Sequence, residues 1–193
     1  MRNLILAAVL LWCGACGGGS PVTGPATVNG TIIGQSMNAR DSVSNVVDVA
    51  IVNVSFGGSA GLILITDAPN ACANLAASEL KKNAKYIFIQ VGTQTGRTLS
   101  PPSGNGNYTV YGTSSIAAAT GNVAAALYVA TDAKCAPVLD DEATSGTVRL
   151  TQVDANGYSG TFDITFADGS HVTGSFTANK CAALSLTMAG FCT

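Results

Sequence analysis

The stretch that decides the fold is GYSGTFDITFADGSHVTGSFT, residues 157–177. On each side of Ala167-Asp168-Gly169, apolar or small residues alternate with Thr, Ser and Asp, which is typical of strands with one buried and one solvated face. A three-residue loop with Gly169 at positive φ pairs Ile164 with Val172, both on the core face. A loop with an even number of residues would instead place a core residue opposite a polar one. The stretch therefore predicts a β-hairpin with a three-residue loop.

A second hairpin is predicted immediately upstream. Asn156-Gly157 is a strong signal for a two-residue turn, and it would place Val153 opposite Gly160. The apolar residues earlier in that strand then fall out of phase with Val153. This predicts a β-bulge near Thr151-Gln152.

From Thr27 onward the chain consists of short β-branched runs separated by turn residues, the pattern of many short strands. The runs 62–65 and 87–89 are apolar at every position, which predicts central strands covered on both faces. The predicted strands span residues 27–33, 46–56, 62–66, 86–92, 108–112, 123–131, 147–153, 158–166 and 171–177.

One helix is predicted, at residues 71–82, with Asn70 as its N-cap after Pro69 and two lysines in its last turn. Many strands, one short helix and frequent glycine favour an all-β fold, mainly an antiparallel β-sandwich or barrel-like sheet, with one short helix near 71–82.

The amino-acid composition excludes two classes of protein, disordered chains and nucleic-acid-binding proteins. Only 10% of the 193 residues are charged, against about 25% in typical soluble domains, and 47% are hydrophobic. Charge-driven disorder is therefore excluded, and one folded domain is expected. Nine Lys and Arg against eleven Asp and Glu leave no basic surplus for a phosphate backbone, so we expect no nucleic-acid binding.

The N-terminus has the layout of a secretory signal peptide. Arg2 supplies a positive charge, residues 4–12 are apolar, and Cys13-Gly14-Ala15 precedes Cys16. The apolar run is too short to span a hydrocarbon core of about 30 Å. Gly14 and Ala15 before Cys16 resemble a bacterial lipobox, in which signal peptidase II cuts before a lipidated cysteine. Cys13 departs from that pattern, since Leu, Val or Ile is usual there, and ordinary signal peptidase could also cut after Ala15.

These features predict three segments. Residues 1–15 form the signal peptide, 16–26 comprise the lipidated Cys16 and a flexible Gly- and Pro-rich tether, and 27–193 form a single β-rich domain. We expect an extracytoplasmic protein of the bacterial cell envelope, anchored to the outer membrane through its N-terminal lipid.

The cysteine count agrees with export. Cleavage after Ala15 leaves five cysteines, and lipidation of Cys16 leaves four for two disulfides in an oxidising compartment. Three connectivities are possible. We favour Cys72 with Cys135, and Cys181 with Cys192, which would pin the C-terminal tail.

His171 is the only histidine, so any imidazole chemistry depends on it. Ser170 is its neighbour, but adjacent strand residues point to opposite faces, so the two cannot act as nucleophile and base. Asp163 lies diagonally across the predicted outer face and could contact His171. A solvated strand residue with at most a weak ion pair is the favoured interpretation.

Asp140-Asp141-Glu142 is the densest acidic cluster and could supply oxygen ligands to calcium. Consecutive acids in a loop are more often only solvated, so we expect no metal and no cofactor. An unrecognised hydrolase remains an alternative, with a pocket that contains His171 or a close carboxylate pair such as Asp140 with Asp163.

A carbohydrate-binding module is the other alternative, and it usually requires exposed aromatic platforms. Trp12 is the sole tryptophan and would be lost with the signal peptide. Tyr108 and Tyr111 should face opposite sides of one strand, unlike a platform. The tyrosines predicted to lie in the core or at its edge are Tyr86, Tyr111, Tyr128 and Tyr158.

Three segments carry a family resemblance: GTIIGQSMNARDSVSNVV, ITDAPNACANLAASELKKNAKYIFIQVG and GTVRLTQVDANGYSGTFDITFADGSHVTGSFTANKCAAL. They are similar to a group of secreted lipoproteins of unknown function from myxobacteria and related bacteria, over nearly all of the mature chain. The most specific block runs from Gly160 to Cys181. The resemblance implies location and fold, and it brings no catalytic residues.

Together these features predict an exported, lipid-anchored cell-envelope protein that acts as a non-enzymatic binding or structural module. Its expected partners are the membrane, through the lipid, and a protein or glycan of the envelope.

Overall fold

The computed structural model describes residues 24–48, 57–77 and 80–185. These residues form eleven strands and two short helices, so the predicted all-β class is confirmed. In chain order the elements are β1 (Ala26–Ile32), β2 (Gln35–Ser36), β3 (Asp41–Asp48), β4 (Gly57–Thr66), α1 (Ala71–Ala76), β5 (Lys85–Thr95), β6 (Thr98–Ser100), β7 (Gly106–Tyr111), α2 (Thr113–Ile116), β8 (Gly121–Thr131), β9 (Pro137–Asp154), β10 (Gly157–Phe166) and β11 (His171–Lys180).

The strands form one large mixed sheet that closes into a ring. Antiparallel pairing runs from β3 through β4, β5, β8, β9 and β10 to β11. The ring closes where β11 meets β3 in parallel, with Asn179 opposite Val43 and Lys180 opposite Ser44. The remaining strands are additions: β1 lies along β11, β2 along β1, β6 against β4 and β5, and β7 between β8 and β9.

The hairpin β10–β11 has the predicted register. Ile164 lies opposite Val172 and Thr165 opposite His171. The Phe166 N–H donates to the Ser170 carbonyl at 2.9 Å, which closes a three-residue loop. Gly169 takes φ 84°, as expected for the residue that completes such a loop.

The hairpin β9–β10 differs from the prediction at its turn and agrees at its bulge. Val153 lies opposite Tyr158 and not Gly160, so the turn consists of Ala155-Asn156. The reason is local: the Asp154 carboxylate accepts the Asn156 N–H at 2.7 Å, which starts the turn one residue early. The predicted bulge is confirmed, since the register shifts between Ser159 and Gly160 and the partner strand has one extra residue, Thr151.

The ring encloses the main core. Inward residues of β10 and β11 are buried as their alternation predicts, and Ile32 and Met37 pack against the same cluster from the connection between β1 and β3. The largest fully buried side chains of this cluster are Tyr108, Tyr128, Phe166, Ile32, Ile63, Ile65, Ile87, Ile89, Leu150 and Ile164.

A second apolar layer covers the outside of β3, β4, β5 and β8. Leu62, Leu64 and Phe88 face this layer, which explains why their strands are apolar on both faces. The cover consists of α1, the segment around Leu80 and the residues after β11, where Leu184 is fully buried. A third, smaller cluster lies under α2 and β6.

The predicted helix at 71–82 is shorter than expected. It ends at Ala76, and the two lysines, Lys81 and Lys82, follow it and are not in its last turn. Asn70 adopts the left-handed conformation and makes no side-chain cap. The buried Asp41 carboxylate takes the cap's place by accepting the Ala71 N–H at 2.7 Å, a contact 30 residues distant in sequence that local pattern cannot show.

The favoured disulfide pairing was wrong. Cys72 bonds to Cys181, with the two Cα atoms 5.6 Å apart. Cys72 therefore does not pair with Cys135, and Cys181 does not pair with Cys192. The parallel contact of β11 with β3 carries Cys181 under α1, where its N–H donates to the Ser44 carbonyl at 2.7 Å. Cys135 is also disulfide-bonded, and its partner lies outside the described residues.

Several strand boundaries also differ. β3 begins at Asp41, five residues before the predicted strand at 46–56, of which residues 49–56 lie outside the described part. β1 begins at Ala26, and Gly24 already bridges to Ser42. β9 begins at Pro137, ten residues before its predicted start.

Candidate functional site

The predicted contact of His171 with Asp163 is confirmed. The His171 Nε2 lies 2.7 Å from an Asp163 carboxylate oxygen, diagonally across the outer face of β10 and β11. The two side chains are 55% and 64% exposed, so water screens the pair, and we expect it to contribute at most about 1 kcal/mol. Ser170 is committed elsewhere, since its hydroxyl donates to Asp168.

The acidic cluster Asp140-Asp141-Glu142 lies in strand β9 and not in a loop, which corrects the sequence interpretation. The strand form separates the side chains to alternate faces. One Asp141 carboxylate oxygen accepts the Glu142 N–H at 2.9 Å, and the other accepts the Asp168 N–H at 3.1 Å. Within the described residues no group of three or more His, Cys, Asp and Glu side chains is arranged to hold a metal ion.

Asp168 joins two turns at one end of the ring. Its carboxylate accepts the Ile33 N–H at 3.0 Å and the Ser170 hydroxyl at 2.5 Å. The hydrogen bond from the Ser170 side chain, followed by backbone N–H groups, lowers the pKa of Asp168. Ile33 has φ 49°, so this clamp holds the β1–β2 turn in an uncommon backbone conformation. The role is structural, and sequence analysis did not single out Asp168 as a contact between turns.

The tyrosines do not form a platform. Tyr86, Tyr128 and Tyr158 are buried, as predicted, and Tyr111 is half-buried at the edge of the core. Tyr108 is also buried and donates its hydroxyl to the Gly104 carbonyl. Burial raises the pKa of the four buried hydroxyls, those of Tyr86, Tyr108, Tyr128 and Tyr158, for Tyr128 to about 12.

A polar groove lies at the same end of the molecule as α1, and sequence analysis missed it. It has a volume of about 530 Å³, within the range of about 300–1,000 Å³ of small-molecule sites. Below it is called the Asn/Lys groove. It is lined by Asn38, Arg40, Asp67, Ala68, Pro69, Asn70, Asn74, Lys81, Lys82, Asn83 and Ala84.

Backbone hydrogen bonds fix the walls of the groove. The Arg40 N–H donates to the Thr66 carbonyl at 2.8 Å, which sets the first wall. The Lys81 N–H donates to the buried Tyr86 hydroxyl at 2.7 Å, and the Asn83 N–H donates to the Asp132 carbonyl at 3.0 Å. The segment that carries both lysines is therefore anchored at two points, to Tyr86 of β5 and to Asp132 directly after β8.

Two asparagines of the groove have positive φ, 60° at Asn70 and 53° at Asn83. Asn tolerates this conformation better than most residues, and here it turns the chain before α1 and before β5. Asn74 donates its side-chain amide to the Pro69 carbonyl at 2.9 Å, which stiffens the loop between them.

The groove concentrates positive charge. Three cationic side chains, Arg40, Lys81 and Lys82, line it beside one acidic side chain, Asp67. Asp67 accepts the Lys85 N–H at 2.8 Å, so one of its oxygens is engaged by the protein. Arg40 and Lys82 are exposed, and neither pairs with an acidic side chain in the part of the chain that the structure describes.

The lining residues come from three separate stretches of sequence, 38–40, 67–74 and 81–84, which explains why no motif indicated the groove. The only local signal is Lys81-Lys82-Asn83, which sequence analysis assigned mostly to a helix end.

No known protein family, curated protein or solved structure matches this chain. Within residues 24–48, 57–77 and 80–185, no helix is long and apolar enough to cross a membrane.

Proposed function

We propose that the protein is exported and lipid-anchored in the bacterial cell envelope, where its β-rich domain acts as a non-enzymatic binding module. Residues 1–15 direct export, Cys16 carries the lipid, and the tether up to the first strand lifts the domain from the membrane.

The observation that carries the proposal is the oxidised state of the cysteines. Cys72 and Cys181 form a disulfide, and Cys135 takes part in another. Structural disulfides persist in oxidising compartments and are rare in the bacterial cytosol. With Cys13 removed and Cys16 bound to lipid, the cysteines that remain are even in number, so none is left over.

The assignment as a binding module is supported by the contrast between polar residues that hydrogen-bond within the fold and polar residues that line the Asn/Lys groove. Asp141, Asp168 and Ser170 are committed to hydrogen bonds that hold turns together. His171 and Asp163 lie on an open sheet face. The Asn/Lys groove, by contrast, presents several polar groups in a concavity whose volume is large enough for a small ligand.

Metabolic labelling tests the lipid anchor. The full chain is expressed in a bacterium with labelled fatty acid, with and without an inhibitor of signal peptidase II. We expect a labelled mature protein, and an unprocessed precursor when the peptidase is inhibited. Normal processing without any label would refute the anchor.

Two cysteine variants make the test specific. Cys16→Ser should abolish labelling, because the thioether to the lipid cannot form. Cys13→Leu is the matched control, and it should keep or increase labelling because it restores the usual residue of the lipobox. Labelling that survives in Cys16→Ser would contradict the assignment.

A further inference from the structure

We propose that the Asn/Lys groove binds an anionic saccharide, with Arg40 and Lys82 contacting its carboxylate or phosphate groups and the asparagine amides contacting its hydroxyls. This inference rests on the proposed function only in placing the domain in the envelope.

Charge is the first argument. After loss of Arg2 the chain has eight Lys and Arg against eleven Asp and Glu, so its surface is acidic on balance. Among the described residues that line the groove the balance is reversed, with Arg40, Lys81 and Lys82 against the single carboxylate of Asp67. The guanidinium of Arg40 offers a planar fork that fits a carboxylate or phosphate, and Lys82 offers a point charge.

The polar lining is the second argument. Four asparagines face the groove, namely Asn38, Asn70, Asn74 and Asn83. Each amide has both donors and an acceptor, which suits the hydroxyls of a sugar, since these also donate and accept. The lining also includes Ala68, Pro69 and Ala84, whose apolar surface can pack against the carbon atoms of a sugar ring.

Rigidity is the third argument. The two turns at Asn70 and Asn83 hold positive φ, and the lysine segment is hydrogen-bonded to Tyr86 and to Asp132. A site whose walls are already ordered loses less conformational entropy on binding than a flexible one. The backbone conformations are therefore those of a preformed site.

Position is the fourth argument. Gly24, the first residue that the structure describes, bridges to Ser42, which is two residues from Arg40 of the groove. With a lipid at Cys16, Gly24 would lie within about 30 Å of the membrane, since eight residues span at most about 3.6 Å each. Saccharides of the envelope surface would then be within reach of the groove.

Calorimetry on the mature full chain in detergent tests the proposal. The probes are tetragalacturonate, a phosphorylated tetramannoside and neutral galactotetraose, which separate carboxylate, phosphate and uncharged sugar. We expect at least one anionic probe to bind about tenfold more tightly than the neutral one, with affinity that decreases as salt is raised. Equal affinity for all three, or no binding of either anionic probe at about 1 mM, would overturn the proposal.

Variants locate the site. Arg40→Gln with Lys82→Gln should weaken binding of the anionic probe about tenfold or more, because two charge-assisted contacts are lost. The matched control, Arg97→Gln with Arg149→Gln, removes the same charge from exposed positions outside the groove and should change affinity less than about twofold. An equal loss in both double variants would show general charge attraction and would overturn the site.

Asn83→Asp provides a second variant that keeps the turn, since Asp also tolerates positive φ. It adds a negative charge inside the groove and should weaken the anionic probe while circular dichroism stays unchanged. Unchanged affinity would contradict a site at this position.

Three further outcomes separate this proposal from its alternatives and from the proposed function. Binding to vesicles of anionic phospholipid, lost in the groove variant and without any saccharide binding, would replace the saccharide by a membrane surface. A labelled, processed protein that binds no saccharide overturns this inference alone. Saccharide binding by a chain that is never exported overturns the proposed function alone.

Discussion

Removing the Cys72–Cys181 disulfide should lower stability by a predictable amount. The bond joins residues 109 apart in sequence, and the chain-entropy model gives about 4.8 kcal/mol for a loop of that length. In a domain of this size each 1 kcal/mol shifts the melting temperature by about 2–4 °C. The variant Cys72→Ala with Cys181→Ala should therefore melt about 10–20 °C below the wild type.

Scanning calorimetry measures the loss, and peptide mapping without reductant shows which bond is lost. The mapping is essential, because a Cys72–Cys135 bond would span 63 residues and contribute about 4.3 kcal/mol, too similar to separate by melting. A mapped peptide that joins Cys72 to Cys135 would refute the assignment. A decrease of less than about 5 °C would refute the entropic reasoning.

Three more predictions concern backbone strain and protonation. Gly146 has φ 136° and an added Cβ would lie 2.2 Å from a backbone oxygen of β10, so Gly146→Ala should cost about 2–4 kcal/mol in urea unfolding. Gly169 has φ 84° in open space, so Gly169→Ala should cost only about 1–2 kcal/mol, and equal costs would contradict the steric argument. Burial raises the pKa of Asp41 above its ordinary value of 3.8, so between that value and the raised pKa the folded state keeps a proton that the unfolded state has lost. The free energy of unfolding of the wild type, relative to that of Asp41→Asn, should therefore decrease as the pH rises from 3.8 to the raised pKa. A difference that does not change with pH would contradict this expectation. Ser170→Ala removes the main cause of the lowered pKa of Asp168, so an NMR titration should find that pKa raised toward its usual value, and no change would mean that the backbone bonds suffice.

The β10–β11 hairpin shows how far sequence alone can go. Its loop length, register and buried face were all predicted from the alternation of residues, because a shift of one residue would turn every core side chain toward water. The bulge at Thr151 followed from the same reasoning. The diagonal contact of Asp163 with His171 was predicted as soon as the register was known.

Elsewhere the sequence predicted the correct type of element but not its correct boundaries. Asn156-Gly157 marked a turn, but the Asp154 carboxylate moved it by one residue. The apolar and lysine pattern after Asn70 marked a helix, but α1 stops at Ala76. In both cases a hydrogen bond or packing contact outweighed the local preference, whose energy is only about 1 kcal/mol per residue or less.

Sequence by itself determined the fold class, the main hairpin and the expectation of an exported chain with paired cysteines, because each depends on patterns between near neighbours in the chain. The tertiary structure alone decided that Cys72 meets Cys181, that Asp41 holds the start of α1, and that Arg40 and Lys82 line one groove. These residues are brought together by closure of the ring and by the layer packed outside it. Such closure depends on the summed burial of many side chains, and so no short stretch of sequence encodes which distant residues will meet.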